Sequence, residues 1–173
     1  MLVLGTGGVS IFALQFARAA GARVIVTSSQ DEKLERAGKL GAAERINYKR
    51  TPDWEKEVLR LTGGAGVDCV VEVGGAGTLA KSFASVGYGG KVSLIGVLSG
   101  YQGETSPHGL MFRGASLHGI MVGSRAMFES MLAAMTVNAI KPVIDRTFAF
   151  EDAAAAYKYQ MDGKHFGKVV IRV

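Results

Sequence analysis

The opening stretch, Met1-Leu2-Val3-Leu4-Gly5-Thr6-Gly7-Gly8-Val9-Ser10, constrains this chain more than any other. Its apolar residues read as a short buried strand, and Ile11 through Ala17 read as a helix. The chain must pass from one to the other within a few residues, and the glycine spacing says how. Gly5 allows the tight turn out of the strand. Gly7 leaves no Cβ between the backbone and a diphosphate, which would rest on the free N–H groups of the helix start. Thr6, Gly8 and Val9 complete the candidate cofactor-binding turn. The third slot of the G-x-G-x-x-G pattern, which governs how closely helix and strand pack, holds Ser10, small enough to fit. In a chain with 24 glycines such a pattern alone is weak, a structural Gly-rich turn being the alternative. A strand before, a helix after and a second strand over residues 23–27 make it a dinucleotide-binding signature.

At 173 residues, 48% hydrophobic and 20% charged, the chain has the material for one globular domain, residues 1–173, with a good core. No apolar run reaches bilayer-spanning length and no signal-peptide pattern precedes the first strand, so a soluble, cytoplasmic protein that does not engage a membrane is expected. The single cysteine, Cys69, excludes an intramolecular disulfide and a multi-cysteine zinc site within the chain. The net charge of +5 is spread over helices and loops. That fits mild attraction for an anionic cofactor and argues against nucleic acid as a partner.

Strand and helix patterns alternate along the rest. Residues 23–27 (Arg-Val-Ile-Val-Thr) form a β-branched run of the kind covered on both faces. Ser29-Gln30-Asp31-Glu32 has capping-box spacing, with Ser29 as N-cap, and the helix after it runs through Leu34, Ala37 and Leu40 to Gly41. A third strand spans 44–47. Pro52 is expected at the first position of a helix carrying Trp54, Val58 and Leu61. A fourth strand (67–73), a helix (76–86), a fifth strand (91–97), a long loop (99–113) and a sixth strand (116–122) follow. Ser124 caps a helix whose Met127, Phe128, Met131, Leu132 and Met135 fall at helical spacing, a stripe that reads as core. The tail adds a strand (143–150), a helix (152–161) and a last strand (168–173). Such alternation implies an α/β fold with a doubly wound parallel sheet and helices on both faces, a Rossmann fold.

Four stretches together resemble a known family: Gly5-Thr6-Gly7-Gly8-Val9-Ser10, Val67-Asp68-Cys69-Val70-Val71-Glu72-Val73-Gly74-Gly75, Gly89-Gly90-Lys91-Val92-Ser93-Leu94-Ile95-Gly96 and His165-Phe166-Gly167-Lys168-Val169-Val170. In order and spacing they are similar to the cofactor-binding half of the zinc-type alcohol dehydrogenase and quinone oxidoreductase superfamily, the medium-chain dehydrogenases/reductases. The resemblance implies an NAD(P)-dependent oxidoreductase. It also implies a GroES-like catalytic domain ahead of the first strand, holding the substrate pocket and any zinc. With Met1 right before the first strand, that domain is expected to be absent from this chain, which would then bind no zinc itself and be inactive alone. The expected partners are the missing domain or its small-molecule substrate, and a second copy of the chain.

The choice of nicotinamide cofactor rests on the end of the second strand. An NAD enzyme wants an acidic side chain there, about 20 residues after the glycines, to hold the ribose hydroxyls. By spacing the slot falls on Ser28, followed by Ser29, with Lys33 one helical turn further. The resemblance adds Tyr48, at a position where related quinone reductases place a phosphate-contacting tyrosine. Asp31 lies nearby, but the capping-box reading turns it to solvent. NADP(H) is thus favoured over NAD(H), the alternative being that Ser28 and Ser29 only start a helix and Lys33 is a solvated surface lysine. The nicotinamide end is expected at Val73-Gly74-Gly75 and Gly96-Val97-Leu98, where small residues let a flat ring lie against the backbone; Gly74 and Gly75 read equally well as turn glycines. The resemblance adds the main chain of residues 119–122.

No catalytic constellation shows itself, and the catalytic residues stay unassigned. His108, His118 and His165 are scattered without carboxylate or cysteine partners at ligand spacing, and read as structural or surface residues. Glu72, a carboxylate among valines, could orient the loop at Gly74, reach a backbone donor, or act in catalysis. Arg125 resembles a family position that can approach the cofactor, or is plain helix surface. The expected function is hydride transfer between NADP(H) and an alcohol, carbonyl, quinone or activated alkene. The competing reading is a stand-alone module that binds or senses NADP(H) without turnover. A methyltransferase on a similar sheet usually wants an acid at the second strand end and lacks the later stretches.

Overall fold

In the computed structural model, which describes residues 1–173, six strands lie parallel in one sheet. They are β1 (Leu2–Leu4), β2 (Ile25–Ser28), β3 (Glu44–Asn47), β4 (Val67–Glu72), β5 (Val86–Leu94) and β6 (Ser116–Gly119). Their order across the sheet is β3-β2-β1-β4-β5-β6. The chain starts in the middle, winds outward to one edge, then returns beside β1 and winds outward to the other. The crossovers carry helices α1 (Gly8–Ala19), α2 (Asp31–Lys39), α3 (Trp54–Leu61), α4 (Leu79–Ser85) and α5 (His108–Arg113). This is the expected doubly wound sheet, and its direction of winding reverses between β1 and β4.

Strand alternation sorts the core into two layers. Successive side chains on a strand point to opposite faces, so Leu2, Leu4, Ile25 and Val70 pack with Trp54 and Val58 of α3 and Phe83 of α4. Val3, Val24, Val26 and Val71 pack on the other side with Ile11 and Leu14 of α1 and Leu34 and Ala37 of α2. Both faces are covered, which is why β1 and β2 could be uniformly apolar at their centre.

The remainder is α6 (Arg125–Val137), β7 (Ile144–Ala149), a 3-10 turn at Phe150–Asp152, α7 (Ala153–Met161) and β8 (Lys168–Arg172). β7 and β8 form a separate parallel pair with α7 as their crossover. This pair is pinned to the main sheet's first turn by a bridge between Gly7 and Gly167, in which the Gly167 N–H donates to the Thr6 carbonyl at 2.9 Å. Arg36 of α2 strengthens the junction. Its guanidinium donates to Asp145 at 2.8 Å and lies over the Phe166 ring at 4.2 Å, while the Tyr159 hydroxyl donates to the other Asp145 oxygen at 2.7 Å.

Several local expectations are corrected. α2 begins at Asp31 with Gln30 at the N-cap, and no side chain caps it, so Ser29 and Glu32 form no capping box. Pro52 lies before the Asp53 N-cap of α3, two residues ahead of the first helical position expected for it, which Trp54 takes. The segment 99–113 is not all loop, because it contains α5. α4 starts at Leu79 and not at 76, because the Ala76 N–H is drawn to the Gly100 carbonyl. The fifth strand begins at Val86, five residues earlier than expected, and ends at Leu94. The methionine stripe of α6 is not core here: Met135 is buried, but Met127 is 64% and Phe128 54% exposed. Its Ser124 cap is as expected, the hydroxyl accepting from the Met127 N–H. No helix is long and apolar enough to cross a membrane.

Candidate cofactor site

The carboxyl ends of β1, β2, β4 and β5 converge where the winding reverses, and the glycine turn lies at their centre. Gly5 has a φ of +73°, a left-handed conformation that a side chain resists, so glycine is required there by the turn itself. Ser10 is buried and its hydroxyl donates to the Leu4 carbonyl at 2.7 Å, locking the first helical turn onto the strand it leaves. Gly7 differs from both. It is the N-cap of α1 with a φ of −76°, which any residue adopts. A Cβ built on it would meet nothing nearer than His165 Nε2 at 3.9 Å. The fold places no demand for glycine at this position.

What the turn offers is a set of unused donors. No side chain caps α1, and the N–H groups of Gly8, Val9 and Ser10 have no acceptor in the protein. They point out of the positive end of a 12-residue helix, the arrangement that holds an anion. Two further groups border it from β8 and the segment leading into it. The Lys168 side chain drapes over Gly8 so closely that a Cβ there would come within 2.7 Å of its Nζ. His165 stands opposite Gly7. The donor set, its sign and the open approach at Gly7 fit a dinucleotide diphosphate.

The ribose corner at the end of β2 is built differently from the sequence expectation. Ser28 is the last residue of β2 and buried, its carbonyl accepting from the Tyr48 N–H at 3.0 Å. Ser29 is half-buried and Tyr48 is exposed beside it. Asp31 is exposed, as expected, but it is not free. Its carboxylate accepts from Asn47 Nδ2 at 2.8 Å and from Arg50 at 2.5 Å, so a neutralised carboxylate and a guanidinium sit at this corner. Lys33 is not a solvated surface lysine: it is 7% exposed and its ammonium donates to the Gly163 carbonyl at 2.6 Å, in the turn after α7. Burial lowers its pKa from the ordinary lysine value, against the opposing pull of Asp145. Arg50 was missed in the sequence because it lies outside the strand–helix connection that the spacing rule inspects.

At the other end of the site, Glu72 organises the loop after β4. The residue is wholly buried. One carboxylate oxygen accepts from the Gly74 N–H (2.7 Å), the Gly75 N–H (3.1 Å) and the Thr78 hydroxyl (2.6 Å), and the other accepts from the Ser82 hydroxyl. A buried carboxylate without a cation is tolerable only when hydrogen bonds replace its hydration, and four donors do so here. The loop is then tied to the one after β5. Leu98 N–H donates to Val73 O, and both the N–H and the hydroxyl of Ser99 donate to Gly74 O at 2.7 Å. A Cβ on Gly96 would lie 2.6 Å from the Val73 carbonyl, and Gly75 has a φ of +84°. Close packing therefore explains Gly96, and the positive φ of Gly75 accords with its turn alternative. Val73, Gly74, Gly96, Val97 and Leu98 are brought together in one ledge at the carboxyl edge of β4 and β5.

His108 heads α5 and bonds Ser106; His118 bonds Ser116 on β6; both are exposed. Arg125 is helix surface, paired with Glu129 at 2.8 Å. A cavity of about 320 Å³ lined by Met1, Arg23, Val67 and Cys69 opens at the amino ends of the strands, the edge opposite the glycine turn.

Residues 8–137 match the family described as zinc-binding dehydrogenase. The chain is 49% identical, over its whole length, to a zinc-type alcohol dehydrogenase-like protein of Schizosaccharomyces pombe, of which it covers 51%. A candidate alcohol dehydrogenase from Sinorhizobium meliloti superposes with a TM-score of 0.92 at 41% identity, covering 99% of this chain and 50% of that one. An NAD-dependent alcohol dehydrogenase superposes at 0.91 with 36% identity, with the same coverage. A mycobacterial protein solved with NADPH superposes at 0.83 with 28% identity, covering 99% and 57%. The chain thus spans about half the length of the relatives it matches.

Proposed function

The chain belongs to the zinc-binding dehydrogenase family of oxidoreductases as a cofactor-binding domain, and from that premise we propose that it holds NADP(H) for hydride transfer to or from an alcohol, carbonyl, quinone or activated alkene. The observation that carries the reading is the glycine turn: three unpaired N–H groups at the start of α1, faced by a glycine that the fold itself does not need. The N–H groups of Gly8, Val9 and Ser10 would take the diphosphate, with Thr6 fixing the turn through its carbonyl. The ledge at Val73, Gly74, Gly96, Val97 and Leu98 would support the nicotinamide ring, and Glu72 keeps that ledge in place. The cofactor supplies the hydride chemistry; this chain's residues bind and orient it.

Preference for the phosphorylated cofactor rests on Ser28 where a ribose-binding carboxylate would stand, with Tyr48 exposed beside it; the Lys33 ammonium is taken up by the Gly163 carbonyl. Arg50 adds a cation, and its pairing with Asp31 removes much of the repulsion that carboxylate would exert on a 2′-phosphate. NAD(H) is the second reading, favoured by Asp31 itself, which could accept ribose hydroxyls if Arg50 swung away.

The substrate side is proposed to be completed by a second domain against the carboxyl edge. Leu98 and Tyr101 after β5, and Met121 and Val122 after β6, are each 85% exposed or more, apolar surface of the kind a partner covers.

Dissociation constants for NADPH and NADH at two salt concentrations test the assignment. A charge-assisted contact at a wet rim contributes roughly 1.5 kcal/mol, a preference for NADPH on the order of tenfold. Ser28→Asp should reverse it. Arg50→Ala should weaken NADPH and its salt dependence while sparing NADH. Equal affinities in the unaltered protein would refute the NADP(H) assignment.

A further inference from the structure

We propose that His165 is a ligand of the cofactor diphosphate, closing that subsite from the C-terminal side and binding the anion through Nε2 in its protonated form. The inference rests on the diphosphate reading of the glycine turn and adds a residue from outside it.

The placement of the ring is built, not incidental. Phe166, 1% exposed, is sunk in the α1–α2 core layer beneath Arg36, and Gly167 bonds Thr6 in the turn itself. On the other side, Gly163 is held by Lys33. Between these anchors the only residues are Lys164 and His165, so the imidazole is delivered to the face of the glycine turn. Nε2 then lies 3.9 Å from the point a Gly7 Cβ would occupy, at the N-cap residue that precedes the unpaired N–H groups of α1. Nδ1 is shut away from solvent and makes no hydrogen bond. The imidazole is thus half-buried, with Nδ1 turned inward near the Gln160 backbone and Nε2 turned toward the glycine turn, where an anion would sit.

The charges around the ring decide its state. Burial is the largest influence and lowers its pKa from the ordinary histidine value. Lys33 from α2 and Lys168 from β8 lower it further, while Asp145 from β7 and the Gln160 backbone of α7 pull upward. The positive end of α1 faces Nε2 and opposes protonation as well. The free protein therefore carries a neutral His165 at pH 7. A diphosphate set on the turn reverses this balance. It offsets both lysines and the helix end, and it accepts from Nε2–H, while the Gln160 carbonyl stands ready for Nδ1–H. Binding then takes up a proton: the ring's pKa is higher in the complex than in the free chain, so affinity rises as pH falls through the interval between the two values. Both NADH and NADPH carry the diphosphate, so both show the effect. The 2′-phosphate of NADPH titrates near pH 6 by itself, which makes NADH the cleaner probe.

The test is NADH affinity of the full chain by calorimetry between pH 5.5 and 8, repeated in buffers of different ionisation enthalpy to count protons. Expected are tighter binding by about tenfold at the acid end, the value of one charge-assisted contact, and net proton uptake of up to one per cofactor. His165→Gln should flatten the pH profile and abolish the uptake. His165→Lys, permanently charged, should bind at neutral pH at least as well as the unaltered protein and show a flat profile. Binding that is tight but independent of pH, or a His165→Gln profile like that of the unaltered chain, overturns this inference and leaves the diphosphate reading standing. No binding at any pH overturns both.

Discussion

Replacing Gly7 separates a glycine needed for folding from one needed for a ligand. With a φ of −76° and no heavy atom within 3.9 Å of the added Cβ, Gly7→Ala introduces neither strain nor a clash. Reduced entropy of the unfolded chain favours alanine by about 0.4–1 kcal/mol. Alanine is a poorer N-cap than glycine by a comparable amount. The two offset, and net stability should move by less than about 1 kcal/mol, or roughly 2–4 °C in thermal midpoint for a domain of this size. Gly7→Val adds methyl groups that press toward the His165 ring, which can shift. Binding should behave differently. If the added side chain keeps the diphosphate from two of the three free N–H groups, at roughly 1.5–3 kcal/mol for each charge-assisted bond, affinity drops by about 3–6 kcal/mol. That is a factor on the order of 100 to 10,000. Calorimetric titration with NADPH, alongside thermal melts of the same samples, reads both quantities. A folded Gly7→Val protein that binds within threefold of the unaltered chain would refute the reasoning, as would a Gly7→Ala protein that fails to fold.

Glu72→Gln should place an amide N–H₂ against donors from Gly74, Gly75, Thr78 and Ser82. A cost of about 2–4 kcal/mol is expected in denaturant melts, with nicotinamide-containing cofactors weakened more than ADP-ribose, which lacks the ring. Asp145 is buried, which by itself would raise its pKa. The bonds from Tyr159 and Arg36 outweigh that and bring it below the usual carboxylate value. Its contribution to stability is then present above pH about 4 and lost as pH falls through the lowered value, so Asp145→Asn should flatten the acid limb of a melting profile below pH 4. The chain alone should bind cofactor yet reduce no quinone or aldehyde, because nothing in it polarises a carbonyl or encloses a substrate. Steady-state turnover on the order of 1 per second or more would overturn this.

The central sheet was legible because its signals are local. Glu44–Asn47 was bounded correctly from sequence, and the 3-2-1-4-5-6 order follows from strand–helix alternation once the chirality of parallel crossovers is imposed. Helix starts were less legible, since Ser29-Gln30-Asp31-Glu32 satisfies a capping pattern that tertiary contacts override. Asp31 finds Asn47 and Arg50 across the end of β3, and that is a pairing between elements, invisible to any local rule. The same reasoning explains Lys33, whose partner Gly163 is 130 residues away. The α6 stripe misled for a different reason. Periodicity reports that a face is apolar, but it does not say what covers the face, and within this chain almost nothing does.

His165 shows where such reading stops. Nothing in the spacing around it indicates a ligand, and its neighbours in sequence give it no acidic or cysteine partner. Its position becomes meaningful only through the bridge between Gly7 and Gly167, which folds the last strand pair back onto the first turn. That contact joins residues 160 apart, and it rests on two glycines whose roles differ. Gly167 has a φ of +78° and lies so close to Val143 that a Cβ would sit 2.4 Å from its carbonyl oxygen, so the fold compels it. Gly7 is free of any such demand. The site thus combines a C-terminal segment held rigidly by packing with an N-terminal turn left open in front of it. An anion entering between them would meet donors already oriented by both ends of the chain. Such preorganisation lowers the cost of ordering the site on binding.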